Sequence, residues 1–248
     1  MKAFVAGATG YTGRYVVEEL CARGDEVTAH IRPGSSSMAR LGPHFAELGA
    51  RVEEIDWEPA ALGEALERFA PDLVFCLIGT TRARRKELEA SGGDGQTATY
   101  EAVDYGLTRM LVDVCADLSK KPLFVYLSSM GVSPNGINAY MKARYKAEQA
   151  VIEAATPHLI ARPAIITGDD RDDSRLGEQL GGKVNDLFIK TLGALGARDL
   201  ERKYRSTSGA ELARALVRLA TTAGSQDQIV EAQWLKDDSP LPPWASSG

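Results

Sequence analysis

The feature that most constrains the fold is the string GATGYTGR, which begins at Gly7 directly after the apolar run Lys2 to Ala6. An apolar run, a glycine turn and an amphipathic stretch in this order predict a strand, a tight turn and a helix. Gly7 would permit the turn, Gly10 would let backbone amides approach a phosphate, and Gly13 would allow close packing of helix on strand. The alternative is that these are turn glycines only. The residues expected to bind a dinucleotide pyrophosphate at the helix start are Gly7, Thr9, Gly10, Tyr11, Thr12 and Gly13.

The first two thirds of the chain alternate short apolar runs with amphipathic stretches, which is typical of a parallel α/β sheet. With 248 residues, of which 44% are hydrophobic, the chain is long enough for one large core. The predicted strands are Lys2 to Ala6, Glu26 to Ile31, Arg51 to Ile55, Asp72 to Ile78, Leu123 to Ser128 and His158 to Ala161. The predicted helices are Tyr11 to Arg23, Glu58 to Ala70, Tyr100 to Leu118 and Ala139 to Ala155.

After the sixth predicted strand the alternation stops. A polar segment covers 168–182, an apolar stretch covers 184–195, and a helix is expected from about Ser208 to Thr222. We expect this region to cap the sheet rather than extend it, and the proline-rich end SPLPPWASSG to lie on the surface without regular structure. We interpret residues 1–248 as one dinucleotide-binding domain in which residues 163–248 contribute a cap on the substrate side.

Charge and composition exclude several classes of protein. The 29 Lys and Arg residues against 34 Asp and Glu residues give a net charge of −5, which argues against a general nucleic-acid binder. No apolar run approaches the roughly 18 residues that cross a bilayer, and the N-terminus lacks the pattern of an export signal. We therefore expect a cytoplasmic protein without a membrane partner. Three separate cysteines and three isolated histidines predict free thiols and no structural metal: Cys21, Cys76, Cys115, His30, His44 and His158.

The end of the second predicted strand, VTAHIRPG, bears on the choice of cofactor. NAD-binding proteins usually place a carboxylate here for the ribose hydroxyls, whereas this chain has Arg32. A guanidinium pairs with a 2′-phosphate, so we predict NADP(H); the alternative is a solvated loop arginine. After the third strand, Asp56 and Trp57 are expected to border the adenine, although Trp57 could equally be a packing residue.

Several strings together resemble a known family. The glycine string, CLIGTTR from Cys76, LSSMG from Leu127, YMKARYKAE from Tyr140 and RPAIITGDDRDDSRLGE from Arg162 are similar to those of extended and atypical short-chain dehydrogenase/reductases. They look most like the atypical branch that contains the Tat-interacting oxidoreductase-like proteins. The resemblance covers about residues 1 to 180. It implies a Rossmann fold, which is a doubly wound parallel α/β sheet, here with a small C-terminal cap, together with NAD(P)H binding at the strand carboxyl ends.

The resemblance also implies residue roles. Ser129 would orient a substrate carbonyl and Tyr140 would exchange the proton. The position four residues after the tyrosine is lysine in the family and Arg144 in this chain, which keeps the charge but not the compact ammonium. Lys142 and Lys146 do not replace it, because they project roughly 200° and 240° from Tyr140 around a helix. Further cofactor contacts are implied for Gly79, Thr80, Pro163 and Ile165.

Two functions remain open at this point. One is an NADPH-dependent oxidoreductase of the short-chain type that acts on a small carbonyl or related substrate. The other is a non-catalytic NADP(H)-binding regulator or redox sensor that binds a protein partner. The sequence does not identify the substrate, and a homo-oligomer is left open. The loop that carries Arg171, Ser174, Arg175 and Glu178 could close over an anionic substrate group or simply be solvated, and a solvated surface is also expected for Arg82 to Lys86.

Overall fold

The structure is a computed structural model that describes residues 1–80, 99–136, 138–167 and 205–246. Within these ranges seven strands form one sheet and two further strands form a short pair. The predicted segments 82–86, 168–182 and 184–195 lie outside the described residues. The strands are β1 (Lys2–Ala6), β2 (Glu26–Ile31), β3 (Arg51–Glu54), β4 (Leu73–Cys76), β5 (Leu123–Leu127), β6 (His158–Arg162), β7 (Ile166–Thr167), β8 (Thr207–Ser208) and β9 (Gln228–Glu231).

Helices connect these strands and cover both faces of the sheet. A π-helical segment, Tyr100–Leu107, runs directly into the fourth α-helix. The α-helices are α1 (Tyr11–Ala22), α2 (Met38–Glu47), α3 (Pro59–Phe69), α4 (Thr108–Asp117), α5 (Ala139–Glu153) and α6 (Gly209–Ala220). Short 3₁₀ turns cover Ala232–Trp234 and Pro243–Ser246.

The large sheet is entirely parallel and has the order β3-β2-β1-β4-β5-β6-β9. Alternate side chains of a strand point to opposite faces, so each strand contributes to two cores. Ala3 and Val5 pack with α1, α2 and α6 on one face, whereas Phe4 and Ala6 pack with α3, α4 and α5 on the other. The strand order reverses between β1 and β4, and such a switch point opens a crevice at the carboxyl ends of the strands.

The doubly wound parallel sheet predicted from the sequence is confirmed, and all six predicted strands and all four predicted N-terminal helices are present. Helix α2 was missed because Gly42 and Pro43 interrupt its sequence with residues that usually end helices. The helix forms because Leu41 and Phe45, one turn apart, are both buried in the first core.

Two expectations for the C-terminal region were wrong. Strand β9 pairs in parallel with β6 and so extends the sheet instead of capping it; Val230 is buried there, while Ile229 on the other face is exposed. The proline-rich end does not lie free on the surface, because Trp244, within a 3₁₀ turn, packs against the first core. Partial burial of that indole ring helps to offset the entropy lost in ordering these residues. The assignment of residues 163–248 as a substrate-side cap otherwise stays a prediction.

Candidate functional site

The loop between β1 and α1 has a backbone that requires glycine. Gly7 has a φ of +84°, and a Cβ at this residue would lie 2.8 Å from backbone atoms of Leu77, just after β4. A Cβ at Gly13 would lie 2.0 Å from the carbonyl oxygen of Gly7, so the helix and the loop approach too closely for a side chain. At Gly10 that same oxygen, at 3.1 Å, is the single atom of the described residues within 4 Å of an added Cβ.

The N-terminus of α1 lacks a side-chain cap. Its N-cap residue, Gly10, offers no capping side chain, and the first turn contains no acidic residue. Helices α5 and α6, in contrast, have the N-cap residues Asn138 and Ser208, whose side chains each accept a backbone N–H of the first turn. An uncapped helix start presents backbone donors and the positive end of the helix dipole, which suits a pyrophosphate. The predicted residues Thr9, Tyr11 and Thr12 lie at this start.

The side chain of Tyr11 makes a contact that the sequence did not predict. Its hydroxyl donates to the carbonyl oxygen of Thr167 at 3.0 Å and accepts the backbone N–H of Gly209 at 3.4 Å. Tyr11 therefore connects the glycine loop to the ends of β7 and β8. A Cβ at Gly209 would lie 2.7 Å from the Tyr11 ring, so this close contact depends on glycine.

The adenosine end of the predicted site follows β2 and β3. Arg32 is half-buried immediately after β2. His30, the residue before the last of β2, is buried, with Nε2 2.8 Å from the carbonyl oxygen of Ile55 and its ring edge-on to Trp57 at 5.0 Å. Burial lowers the pKa of His30, although the Ile55 carbonyl opposes this shift. Asp56 is exposed and accepts the backbone N–H of Trp57 at 2.8 Å.

On the other side of the switch point, Gly79 and Thr80 follow β4. Thr80 is buried, and its backbone N–H donates to Oδ2 of Asp104 at 2.9 Å. The Thr80 hydroxyl donates to the carbonyl oxygen of Thr99 at 3.2 Å. The side chain of Asp104, which lies in the π-helical segment, thus fixes the loop after β4.

The two serines after β5 differ in what their hydroxyls can do. The hydroxyl of Ser128 is buried and donates to the carboxylate of Glu148 at 2.5 Å. Ser129 is half-buried, and among the described residues its hydroxyl makes one long contact, 3.5 Å to the carbonyl oxygen of Met130. Ser129 is therefore the serine whose hydroxyl can turn toward a ligand. Beside it, the carbonyl oxygen of Pro163 accepts the Met130 N–H at 2.9 Å, and that of Ile165 accepts an N–H from β8.

Tyr140 lies in the first turn of α5 and is half-buried. Its ring is edge-on to that of Tyr100, with 5.3 Å between centroids, and the guanidinium of Arg144 lies 5.3 Å from its centre. Within the part of the chain that the structure describes, no hydrogen bond is found for its hydroxyl. The predicted spacing of one helical turn thus places Arg144 against Tyr140, as expected for residues four apart.

Arg144 is 4% exposed, and its partners are inside the protein. It forms an ion pair of 2.9 Å with Asp104. It also donates to the Tyr126 hydroxyl at 3.2 Å and to the carbonyl oxygens of Leu127 and Ile78. Leu127 is the last residue of β5, and Ile78 lies just after β4. Burial by itself lowers the pKa of Arg144, but the neighbouring tyrosines and Asp104 raise it well above the usual value, so the cation is retained.

A second buried ion pair lies next to the site. The carboxylate of Glu148, one turn after Arg144 on α5, is fully buried and accepts two hydrogen bonds from Arg162, at 2.9 Å and 2.6 Å, in addition to that from Ser128. Arg162 also contacts Glu231 of β9 at 3.1 Å. These carboxylates raise the pKa of Arg162.

Sequence reasoning missed Asp104, Tyr100 and the Glu148–Arg162 pair. Asp104 shares a buried helix face with Thr108 and Leu111, four and seven residues later, but this burial is seen only in the structure. A carboxylate on such a face needs a buried partner.

The fold and the glycine loop define a dinucleotide-binding protein of the doubly wound class. Comparison with known proteins gives the same result, since residues 7–191 match the family described as NAD(P)H-binding. The chain belongs to this NAD(P)H-binding family. No helix in the described ranges is long and apolar enough to cross a membrane.

Two curated relatives span most of this chain. The chloroplastic protein TIC 62 of Pisum sativum is 28% identical over 233 residues, which cover 81% of this chain and 41% of the relative. The mitochondrial NADH dehydrogenase [ubiquinone] 1 alpha subcomplex subunit 9 of Arabidopsis thaliana is 27% identical over 169 residues, which cover 68% of this chain and 39% of the relative. The chain thus spans about two fifths of the length of these relatives.

Among solved structures, a Bacillus halodurans protein described as an NAD-dependent epimerase/dehydratase has a TM-score of 0.64 at 17% identity. The match covers 99% of this chain and 97% of that protein. At this identity the likeness concerns the fold, and it agrees with the atypical short-chain resemblance found in the sequence.

Proposed function

We propose that this NAD(P)H-binding protein is an NADPH-dependent oxidoreductase of the short-chain dehydrogenase/reductase type that reduces a small carbonyl or related substrate. The observation that supports this most is the convergence at one edge of the sheet. The glycine loop, Arg32, Ser129 and Tyr140 follow the carboxyl ends of β1, β2 and β5, beside the switch point where ligands of such sheets bind.

The described residues fit a dinucleotide. The uncapped start of α1 suits the pyrophosphate, and the described residues leave room for it at Gly10. Arg32, with no carboxylate after β2, favours a 2′-phosphate and hence NADP(H) over NAD(H). The remaining contacts that we propose are Asp56 and Trp57 at the adenine, Gly79 and Thr80 toward the nicotinamide ribose, and Pro163 and Ile165 at the carboxamide.

The bound nicotinamide would supply a hydride to the substrate carbonyl carbon. The Ser129 hydroxyl, which has one long contact, would donate a hydrogen bond to the carbonyl oxygen and orient it. The Tyr140 hydroxyl would give that oxygen its proton, which water then replaces. Ser128 takes no part, because its hydroxyl is held by Glu148.

The test is oxidation of NADPH in the presence of a panel of aldehydes, ketones and related acceptors. Tyr140→Phe should lower kcat at least about 100-fold and leave NADPH affinity unchanged, as expected for loss of a general acid. Tyr145→Phe on the same helix is the matched control. An active wild type with an equally fast Tyr140→Phe variant would exclude the tyrosine mechanism.

The second candidate is a non-catalytic NADP(H)-binding regulator. It is favoured by Arg144 at the family's lysine position, where its charge is used inside the protein. One of the two curated relatives is named as a subunit of a subcomplex. Tight NADPH binding without turnover of any acceptor would favour this alternative. In either case the free thiols Cys76 and Cys115 suit a reducing compartment, and we propose the cytoplasm.

A further inference from the structure

The Asp104–Arg144 ion pair is the most completely buried pair of charges in the described residues near the site. The side chain of Asp104 is 0% exposed and that of Arg144 is 5% exposed. A buried charge that loses its partner is strongly destabilising, so the two side chains depend on each other. The other contacts of these two side chains show which backbone segments the pair holds in place.

The contacts of Arg144 converge on the ends of two neighbouring strands. Its guanidinium donates to the carbonyl oxygens of Ile78 and Leu127, which lie at the ends of adjacent strands β4 and β5. A planar guanidinium can bridge both carbonyls and the carboxylate at once, whereas a lysine ammonium is a single point of charge.

The contacts of Asp104 continue into the loop after β4. One carboxylate oxygen pairs with Arg144, and the other accepts the backbone N–H of Thr80. The hydroxyl of Thr80 then holds the carbonyl of Thr99, whose own hydroxyl caps the π-helical segment. A chain of polar contacts therefore runs from α5 through Asp104 to Thr80 and Thr99. π-Helical turns frequently occur at functional sites, and here one carries the aspartate.

We propose that the Asp104–Arg144 pair is an internal brace that fixes the Gly79–Thr80 loop for the nicotinamide end of the cofactor, and that Arg144 is a positioning residue without its own contact to the ribose. The inference rests on the proposed binding of NADP(H) and differs from the role that the family's lysine would imply. Because the guanidinium already holds internal partners on β4, β5 and the π-helical segment, the brace requires no direct ligand contact.

The experiment combines amide hydrogen exchange with ligand binding. Exchange of the Thr80 amide reports the Asp104 contact directly and needs no cofactor. Binding is measured with NADPH and with 2′,5′-ADP, which lacks the nicotinamide half. The variants are Arg144→Met, Arg144→Lys and the charge-free pair Asp104→Leu/Arg144→Met. Lys146→Met is the control, because the exposed Lys146–Glu101 pair joins the same two elements at the surface.

If the brace exists, Arg144→Met and the charge-free pair should both speed amide exchange at Thr80. Both should also weaken NADPH binding at least about tenfold and leave 2′,5′-ADP binding within about twofold of wild type. Arg144→Lys should lie between wild type and Arg144→Met, since it retains the charge but not the planar fork. Lys146→Met should leave exchange and both affinities unchanged. If Arg144→Met does not fold, the charge-free pair, which leaves no unpaired buried charge, tests the same prediction.

A weaker NADPH affinity in Arg144→Met with unchanged Thr80 exchange would overturn the proposal, because it would mean that the arginine contacts the ribose itself. Equal losses for NADPH and 2′,5′-ADP, or a charge-free pair that binds NADPH like wild type, would also overturn it. A wild type that binds neither ligand would refute the proposed function, and Thr80 exchange in the variants would still decide whether the brace exists.

Discussion

The glycine loop and the Ser129–Tyr140 region lie on opposite sides of the switch point and are held by different interactions. Around the glycine loop, close backbone contacts and ring packing dominate, as at Gly7, Gly13 and His30. Around Ser129 and Tyr140, buried ion pairs connect α5 to the π-helical segment and to β6. The comparison indicates that the glycine-loop side, proposed to bind the adenosine half, depends on steric fit, whereas the Ser129–Tyr140 side, proposed to bind the nicotinamide half, depends on buried electrostatics.

The largest expected effect tests steric fit on the adenosine side. Gly10→Val should reduce NADPH affinity at least about 100-fold with the fold retained, because the branched side chain fills the open space where the pyrophosphate must approach. Isothermal calorimetry and circular dichroism measure the two effects. Gly63→Ala, on α3, is the control and should bind normally. Unchanged affinity in a natively folded Gly10→Val protein would show that the phosphates bind elsewhere.

The next prediction tests the electrostatics around Ser129 and Tyr140. Glu148→Gln should lower the free energy of unfolding by about 2 kcal/mol, because the fully buried carboxylate loses its charge-assisted hydrogen bonds, while Arg162 keeps Glu231. Denaturant titration measures this change. Asp113→Asn breaks the exposed Arg109–Asp113 pair and should cost less than about 1 kcal/mol. Similar losses in both variants would mean that burial does not distinguish the two pairs.

These two regions also differ in how far the sequence predicts them. The glycine loop could be predicted from the sequence because its residues lie close together in the chain and their spacing is typical of a tight turn. The helix spacing also correctly placed Arg144 beside Tyr140. The sequence did not predict that Asp104 is the partner of Arg144. The two residues are far apart in the chain, and no local sequence pattern indicates the π-helical geometry of the segment that carries Asp104. Strand β9 was missed for another reason: it is short and has one buried residue, so its sequence carries little hydrophobic pattern.

A moderate effect on NADPH affinity is expected at Arg32, the residue proposed to select NADP(H). Arg32→Ala should weaken NADPH binding by about 1.5 to 3 kcal/mol and leave NADH binding unchanged, because only NADPH carries a 2′-phosphate for the guanidinium. Calorimetry with both cofactors on both proteins measures the difference. Arg40→Ala, on α2, is the matched control. Equal NADPH and NADH affinities in wild type would contradict the preference for NADP(H).

The smallest expected effect concerns pH and His30, the buried residue that packs against Trp57. Burial lowers the pKa of His30, so the folded protein favours the neutral imidazole more than the unfolded chain does. Below an ordinary histidine pKa of about 6.5, the unfolded chain therefore binds more protons, and the free energy of unfolding falls as the pH falls. Between about pH 7 and pH 5, wild type should lose up to about 2 kcal/mol more than His30→Gln, which cannot take up this proton. Urea denaturation at several pH values measures the difference, with His44→Gln as a variant at a more exposed histidine. Parallel pH profiles for wild type and His30→Gln would show that the imidazole beside Trp57 does not couple proton uptake to folding.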